Sequence, residues 1–121
     1  MRIERITPFV MTADLDASIA FLEGLGFDCG FRGDDPGYAF MRCDAGAIRL
    51  LETDADLTDT RREQMVYLDV DDIDAFWSQR RAFIETLPPA QWRAPLDQAY
   101  GQREVHVIHG PTLFLFGQAI G

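Results

Sequence analysis

Apolar and polar positions along the chain change period several times, and each change marks an element. Over residues 2–11, Ile3, Ile6, Thr7, Phe9 and Val10 mix with polar residues, which predicts a strand with one face on a core. Asp14 then stands where an N-cap would. Leu15, Ile19, Leu22 and Leu25 follow at helical spacing, and Gly26 is placed to end that helix. Residues 27–31 alternate with period two and run into the turn Gly33-Asp34-Asp35-Pro36-Gly37. Residues 38–43 and 47–52 read as strands on either side of Asp44-Ala45-Gly46, and residues 53–62 form a polar, acidic connector with one helical turn.

The same order then recurs. Residues 65–70 predict a strand, Asp72 a second N-cap, and Ile73, Phe76, Trp77, Arg80 and Ile84 one helical face. Pro88-Pro89 forbids continuation of that helix, and residues 91–94, 103–108 and 112–117 supply three more short strands. Val10-Met11-Thr12-Ala13-Asp14-Leu15-Asp16-Ala17 aligns with Leu68-Asp69-Val70-Asp71-Asp72-Ile73-Asp74-Ala75 at a constant offset of 58. An internal repeat of this kind predicts one domain over 1–121 built from two modules, about 1–57 and about 63–121.

Composition narrows the function classes. The 121 residues include 20 acidic and 11 basic side chains, a formal net charge of -9, and the basic ones are all arginine. A strongly negative chain is a poor partner for phosphate backbones and anionic lipid, so neither nucleic acid nor membrane is expected as a partner. Without lysine there is no Schiff-base chemistry and no P-loop lysine. No apolar run reaches the roughly 18–20 residues of a bilayer span, and Met1-Arg2-Ile3-Glu4-Arg5 lacks the apolar core of a signal peptide. The expectation is a cytoplasmic protein, with Cys29 and Cys43 as small core residues. No Ser-His-Asp order, HExxH, glycine-rich phosphate loop or CxxC pair occurs.

The run from Thr7 to Leu22 through Leu25-Gly26-Phe27, the segment Val70-Asp71-Asp72-Ile73-Asp74-Ala75, and Arg103 to Ile108 with Leu115-Phe116-Gly117-Gln118 resemble the vicinal-oxygen-chelate superfamily. This is the glyoxalase, bleomycin-resistance and extradiol-dioxygenase group. The resemblance implies an α+β fold in which two tandem βαβββ modules form a curved mixed sheet of about eight strands, in a homodimer. In its catalytic branches, His, Gln or Glu side chains from the first and last strand of each module hold a metal. The corresponding positions here are Thr7, Met65, Leu50 and Leu115. The turn His109-Gly110-Pro111-Thr112 is one residue shorter than the common pattern, which moves the last position to Phe114 or Phe116 at most. None of these residues is a hard-metal ligand, so neither metal nor cofactor is expected.

The metal-free pattern resembles the bleomycin-resistance branch, whose members are non-enzymatic dimers that sequester a bulky, cationic, metal-chelating antibiotic in clefts between subunits. The resemblance implies a small-molecule-binding protein of that type, and the negative charge suits a cationic ligand. With Thr7 and Met65 on the concave face, alternation places Phe9, Met11, Tyr67 and Asp69 there too, a lining of Met and aromatic residues suited to apolar ligands. Phe9, Met11, Leu50, Met65, Tyr67, Trp92, Glu104, His106 and Leu115 are the expected ligand contacts. Trp92 could equally be packing, and Asp71, Asp72 and Asp74 read as a helix start.

Two alternatives stand beside this. In the first, a metal-free isomerase or lyase of the same fold uses His106 and Glu104 as acid and base, since both share the parity opposite to Val105 and Val107. The second is a metal-dependent glyoxalase or dioxygenase whose ligands lie at other positions.

Overall fold

A computed structural model describes residues 1–121. The chain divides into two compact units, Met1–Leu57 and Thr58–Gly121. The first contains β1 (Phe9–Thr12), α1 (Leu15–Gly24), β2 (Asp28–Gly33), β3 (Tyr38–Cys43) and β4 (Gly46–Glu52). The second repeats the order as β5 (Gln64–Asp69), α2 (Ile73–Ile84), β6 (Trp92–Asp97), β7 (Gln102–His109) and β8 (Thr112–Ala119), with short 3₁₀ turns at Thr60–Arg62 and Pro89–Gln91. This is the expected pair of βαβββ modules. The strands pair as two four-stranded sheets, β1-β4-β3-β2 and β5-β8-β7-β6, where one sheet of about eight was expected. In each sheet the first strand runs parallel to the last, and the other pairings are antiparallel.

Each helix begins because an aspartate stops it from fraying. Asp14 accepts a hydrogen bond from the Ala17 N–H at 3.1 Å and Asp72 from the Ala75 N–H at 3.0 Å. A second side chain, from the end of the last strand of the same unit, closes another open N–H. Glu52 Oε2 accepts from the Leu15 N–H, and Gln118 Oε1 from the Ile73 N–H, both at 2.9 Å. The strand that closes each sheet therefore also fixes where its helix starts. Gly26 follows the end of α1 with φ 106°, the left-handed backbone that L side chains rarely adopt.

The helices bury one face. In the first unit Leu15, Phe21, Leu22 and Leu25 pack with Val10, Ala39, Met41, Ile48 and Leu50 in the core. In the second, Ile73 and Ile84 are fully buried beside Val105, Val107, Phe114 and Phe116, and the Phe76 ring stacks on Phe116 with centroids 4.3 Å apart. β1 is shorter than the strand expected over 2–11. Its ladder with β4 starts at Phe9, because Pro8 gives its carbonyl to the Arg49 N–H but has no N–H to carry the pairing further. Ile3 and Ile6 are consequently exposed.

Gln118→Ala removes the second cap of α2 and leaves the Ile73 N–H without its side-chain partner. The expected loss is about 1 kcal/mol in chemical denaturation, with the slope of the transition unchanged.

Candidate functional site

Alternation along each strand sends one set of side chains toward the helix of its own unit and the other set to a helix-free face. In the second unit the helix-free face carries Met65, Tyr67 and Asp69 from β5, with Leu113, Leu115 and Gly117 as their register partners on β8. From β7 it carries Glu104, His106 and Ile108, paired with Gly117, Leu115 and Leu113. Met65, Tyr67, Leu96, Tyr100 and Ile108 are exposed large apolar or aromatic side chains. Leu115 is nearly buried between its register partners Tyr67 and His106.

Glu104 organises this face. Its side chain has no exposure, and it takes hydrogen bonds from Tyr100 Oη at 2.7 Å, Tyr67 Oη at 2.8 Å and His106 Nε2 at 2.9 Å. Burial alone would raise its pKa; the three bonds, led by that from His106, outweigh burial and leave the carboxyl below its ordinary range. The same bonds act in reverse on the phenols. Burial, and then the Glu104 carboxylate, push Tyr67 up to about 12, and the bond to Glu104 raises Tyr100. Tyr67 reaches Glu104 by crossing over Gly117. A Cβ built on that glycine would stand 1.9 Å from Tyr67 Oη, so the missing side chain is what admits the tyrosine.

In the first unit the helix-free face holds Phe9 and Met11 of β1, Arg49 and Leu51 of β4, and Tyr38, Phe40 and Arg42 of β3. Phe9 is exposed and Met11 half-buried. Arg49 donates from Nε to Thr7 Oγ1 at 2.9 Å and from Nη1 to Tyr38 Oη.

Of the expected contacts, Phe9 and Met11 lie on the helix-free face of their unit, and Met65, Tyr67, Glu104, His106 and Leu115 share that of theirs. Leu50 and Trp92 do not. Leu50 is the register partner of Val10, and both are buried on the helix side. The position on β4 that corresponds to Leu115 is Arg49, the partner of Phe9 as Leu115 is of Tyr67; a one-residue slip had put Leu50 there. Trp92 pairs with buried Val107, gives its indole N–H to the Leu87 carbonyl at 3.2 Å and packs its ring 6.0 Å from Trp77 of α2. It is a packing residue of the helix side. Arg49, Tyr38, Phe40 and Tyr100 were missed. The alternation Tyr38-Ala39-Phe40-Met41-Arg42, with the small and aliphatic residues inward, is the signal that would have found two of them, Tyr38 and Phe40.

The residues do not fit a resident metal. With Arg49 in place of Leu50, the four positions hold a hydroxyl, a thioether, a guanidinium and an alkyl group. A guanidinium has no lone pair to give and repels a cation. Nowhere do three or more His, Cys, Asp or Glu side chains come together in a group able to hold a metal.

No curated protein matches the sequence. Among solved structures, a bleomycin-binding protein complexed with bleomycin is 24% identical over 96% of this chain and 98% of its own, with a TM-score of 0.77. A bleomycin resistance determinant encoded on the transposon Tn5 is 23% identical over 97% of this chain and 98% of its own, with a TM-score of 0.79. The bleomycin-binding protein of bleomycin-producing Streptomyces verticillus, complexed with copper(II)-bleomycin, is 17% identical over 100% of this chain and 98% of its own, with a TM-score of 0.74. At these identities the likeness is one of fold. The sequence itself matches a family model over residues 2–83, the first unit from Arg2 on and the second as far as the last turn of α2. Paired βαβββ modules and this match agree, and the chain belongs to the glyoxalase/bleomycin resistance protein/dioxygenase superfamily.

Proposed function

We propose that this protein binds and sequesters a bulky, aromatic small molecule of the bleomycin class, without metal and without turnover, in the cytoplasm. The observation that carries the reading is the helix-free face of the second unit. Met65 is 68% exposed and Tyr67 42%, and Leu96 and Tyr100 extend the patch. The carboxylate beneath them is engaged by three donors. A carboxylate held in that way orients tyrosines; it is poorly placed to take a proton from a substrate. Exposed apolar surface of this kind marks a binding face. A second copy of the chain, closing the site as a homodimer, accounts for its extent, and the negative net charge favours approach of a cationic ligand. Structural likeness to proteins that hold bleomycin and copper(II)-bleomycin supports the ligand class.

Isothermal titration with copper(II)-bleomycin and with metal-free bleomycin tests this. Saturable binding is expected, and Tyr67→Ala should weaken it by about tenfold, the typical weight of one aromatic anchor. Flat titrations with both would remove the ligand claim. Calorimetry suits the purpose better than tryptophan emission, since both tryptophans pack on the helix side.

One observation favours a second reading. His106 Nε2 stands 2.9 Å from the fully buried Glu104 with 22% of its own side chain exposed, an imidazole reachable from solvent with a carboxylate behind it. If the protein is an isomerase or lyase, His106→Ala abolishes turnover of a bound compound while leaving its affinity unchanged.

A further inference from the structure

The helix-free face of the first unit has an electrostatic character opposite to that of the chain. A pocket of about 480 Å³ is lined by Arg2, Ile3, Glu4, Arg5, Thr7, Phe40 and Arg49. Three guanidinium groups there face a single carboxylate, in a protein whose net charge is -9. Arg49 is half-buried, and its two hydrogen-bond partners are neutral hydroxyls, those of Thr7 and Tyr38. These fix the guanidinium in place without neutralising it. Of its five N–H donors two are used, which leaves three, including both on Nη2. Arg49 and Arg5 also lie over the Phe40 ring, 4.9 and 5.2 Å from its centroid, so the ring holds both cations at one place.

Of the other eight arginines, Arg32, Arg61, Arg81 and Arg103 each pair with one or two carboxylates, whereas Arg42, Arg62, Arg80 and Arg93 form no ion pair. What sets Arg49 apart is that two hydroxyls and the Phe40 ring hold its unneutralised charge in a pocket beside two further arginines. The chain has 20 acidic side chains, yet none forms an ion pair, carboxylate oxygen to guanidinium nitrogen within 4.0 Å, with Arg2, Arg5 or Arg49. A partly desolvated charge without a counter-charge is costly to maintain unless something else supplies one. We propose that this pocket binds a small-molecule oxyanion, an organic carboxylate or phosphate with an apolar body. Arg49 provides the fork that grips the acid group, Arg5 and Arg2 provide further charge at the rim, and Phe40 and Ile3 flank the apolar part. The pocket is built from residues of the first unit alone, whereas Tyr67 and Glu104 belong to the second, and the inference goes beyond the sequestration reading. Failure of bleomycin to bind leaves it untouched.

The test is a nuclear magnetic resonance titration of the ¹⁵N-labelled full chain with benzoate, phenyl phosphate and the neutral benzyl alcohol, at ionic strength held constant with sodium chloride. Benzoate or phenyl phosphate should move the Arg49 Nε–Hε resonance saturably, benzyl alcohol should not, and the tighter of the two anions identifies the acid group. Arg49→Gln and Arg5→Gln should each weaken anion binding by about tenfold. If Arg49→Gln proves unfolded, Arg5→Gln carries the comparison, since Arg5 is exposed and makes no hydrogen bond. No saturable shift with either anion, an equal shift with benzyl alcohol, or unchanged affinity in the folded variants would overturn the proposal.

Discussion

Glu104→Ala is expected to lower the stability of the fold by about 2–4 kcal/mol at neutral pH, read from chemical denaturation. The size follows from what the carboxylate does. It is buried, and three charge-assisted hydrogen bonds from Tyr67, Tyr100 and His106 converge on it. Truncation removes all three and leaves a void in β7. It also frees the protein from burying a charge, which is why the loss falls short of three full bonds. Glu104→Gln keeps the volume but gives up the charge and turns an amide donor toward donors, and should lose about half as much. The pH dependence has a definite sign. Because the folded-state pKa lies below the ordinary value, the advantage of wild type over Glu104→Gln is fully present above the unfolded carboxylate pKa. It fades as the pH falls through the folded value. A variant as stable as wild type at neutral pH would show that the network orders the tyrosines without holding the fold.

Much of this network was legible from sequence, and the part that was not has a physical explanation. Asp14 and Asp72 as N-caps, the equal order of elements in both halves, and Glu104 and His106 on one face all follow from local spacing. Local periodicity says nothing about which distant side chain closes a helix. Glu52 and Gln118 lie 37 and 45 positions from the N–H groups they accept from. Nor does it set register across a parallel ladder, where a slip of one residue exchanges the two faces. That slip separates buried Leu50 from Arg49, and with it a core residue from the one cation of β4. Trp92 misled for a different reason. It stands on a strand with a register shift between Arg93 and Leu96, and its pairing with buried Val107, its bond to the Leu87 carbonyl and its ring against Trp77 show which side it takes.

The close approach of Tyr67 to Gly117 gives the most specific expectation, because it predicts an interaction between two substitutions as well as the effect of each. The backbone of Gly117 is not left-handed, so an alanine there is not excluded by its own conformation. What it meets is the tyrosine: its Cβ would stand 1.9 Å from the hydroxyl oxygen, 2.6 Å from Cζ and 3.0 Å from Cε1. The ring must swing away, breaking its bonds to Glu104 at 2.8 Å and Gln102 at 3.2 Å. Gly117→Ala should therefore cost about 2–3 kcal/mol. In an alkaline titration followed by phenolate absorbance, the component near 12 should return toward the ordinary tyrosine value, about 10. Stability has the matching sign. A phenol whose pKa is raised in the folded state contributes fully below its unfolded value, and the contribution is lost as the pH climbs toward the folded one. In a Tyr67→Ala background the three atoms that the new methyl group would meet most closely are gone. Gly117→Ala should then be nearly silent, so the cycle returns a coupling of about 2–3 kcal/mol between the two positions. Equal costs in both backgrounds would mean that the glycine serves the strand and not the tyrosine. Tyr67 would then have to be held over Glu104 by its own hydrogen bonds alone.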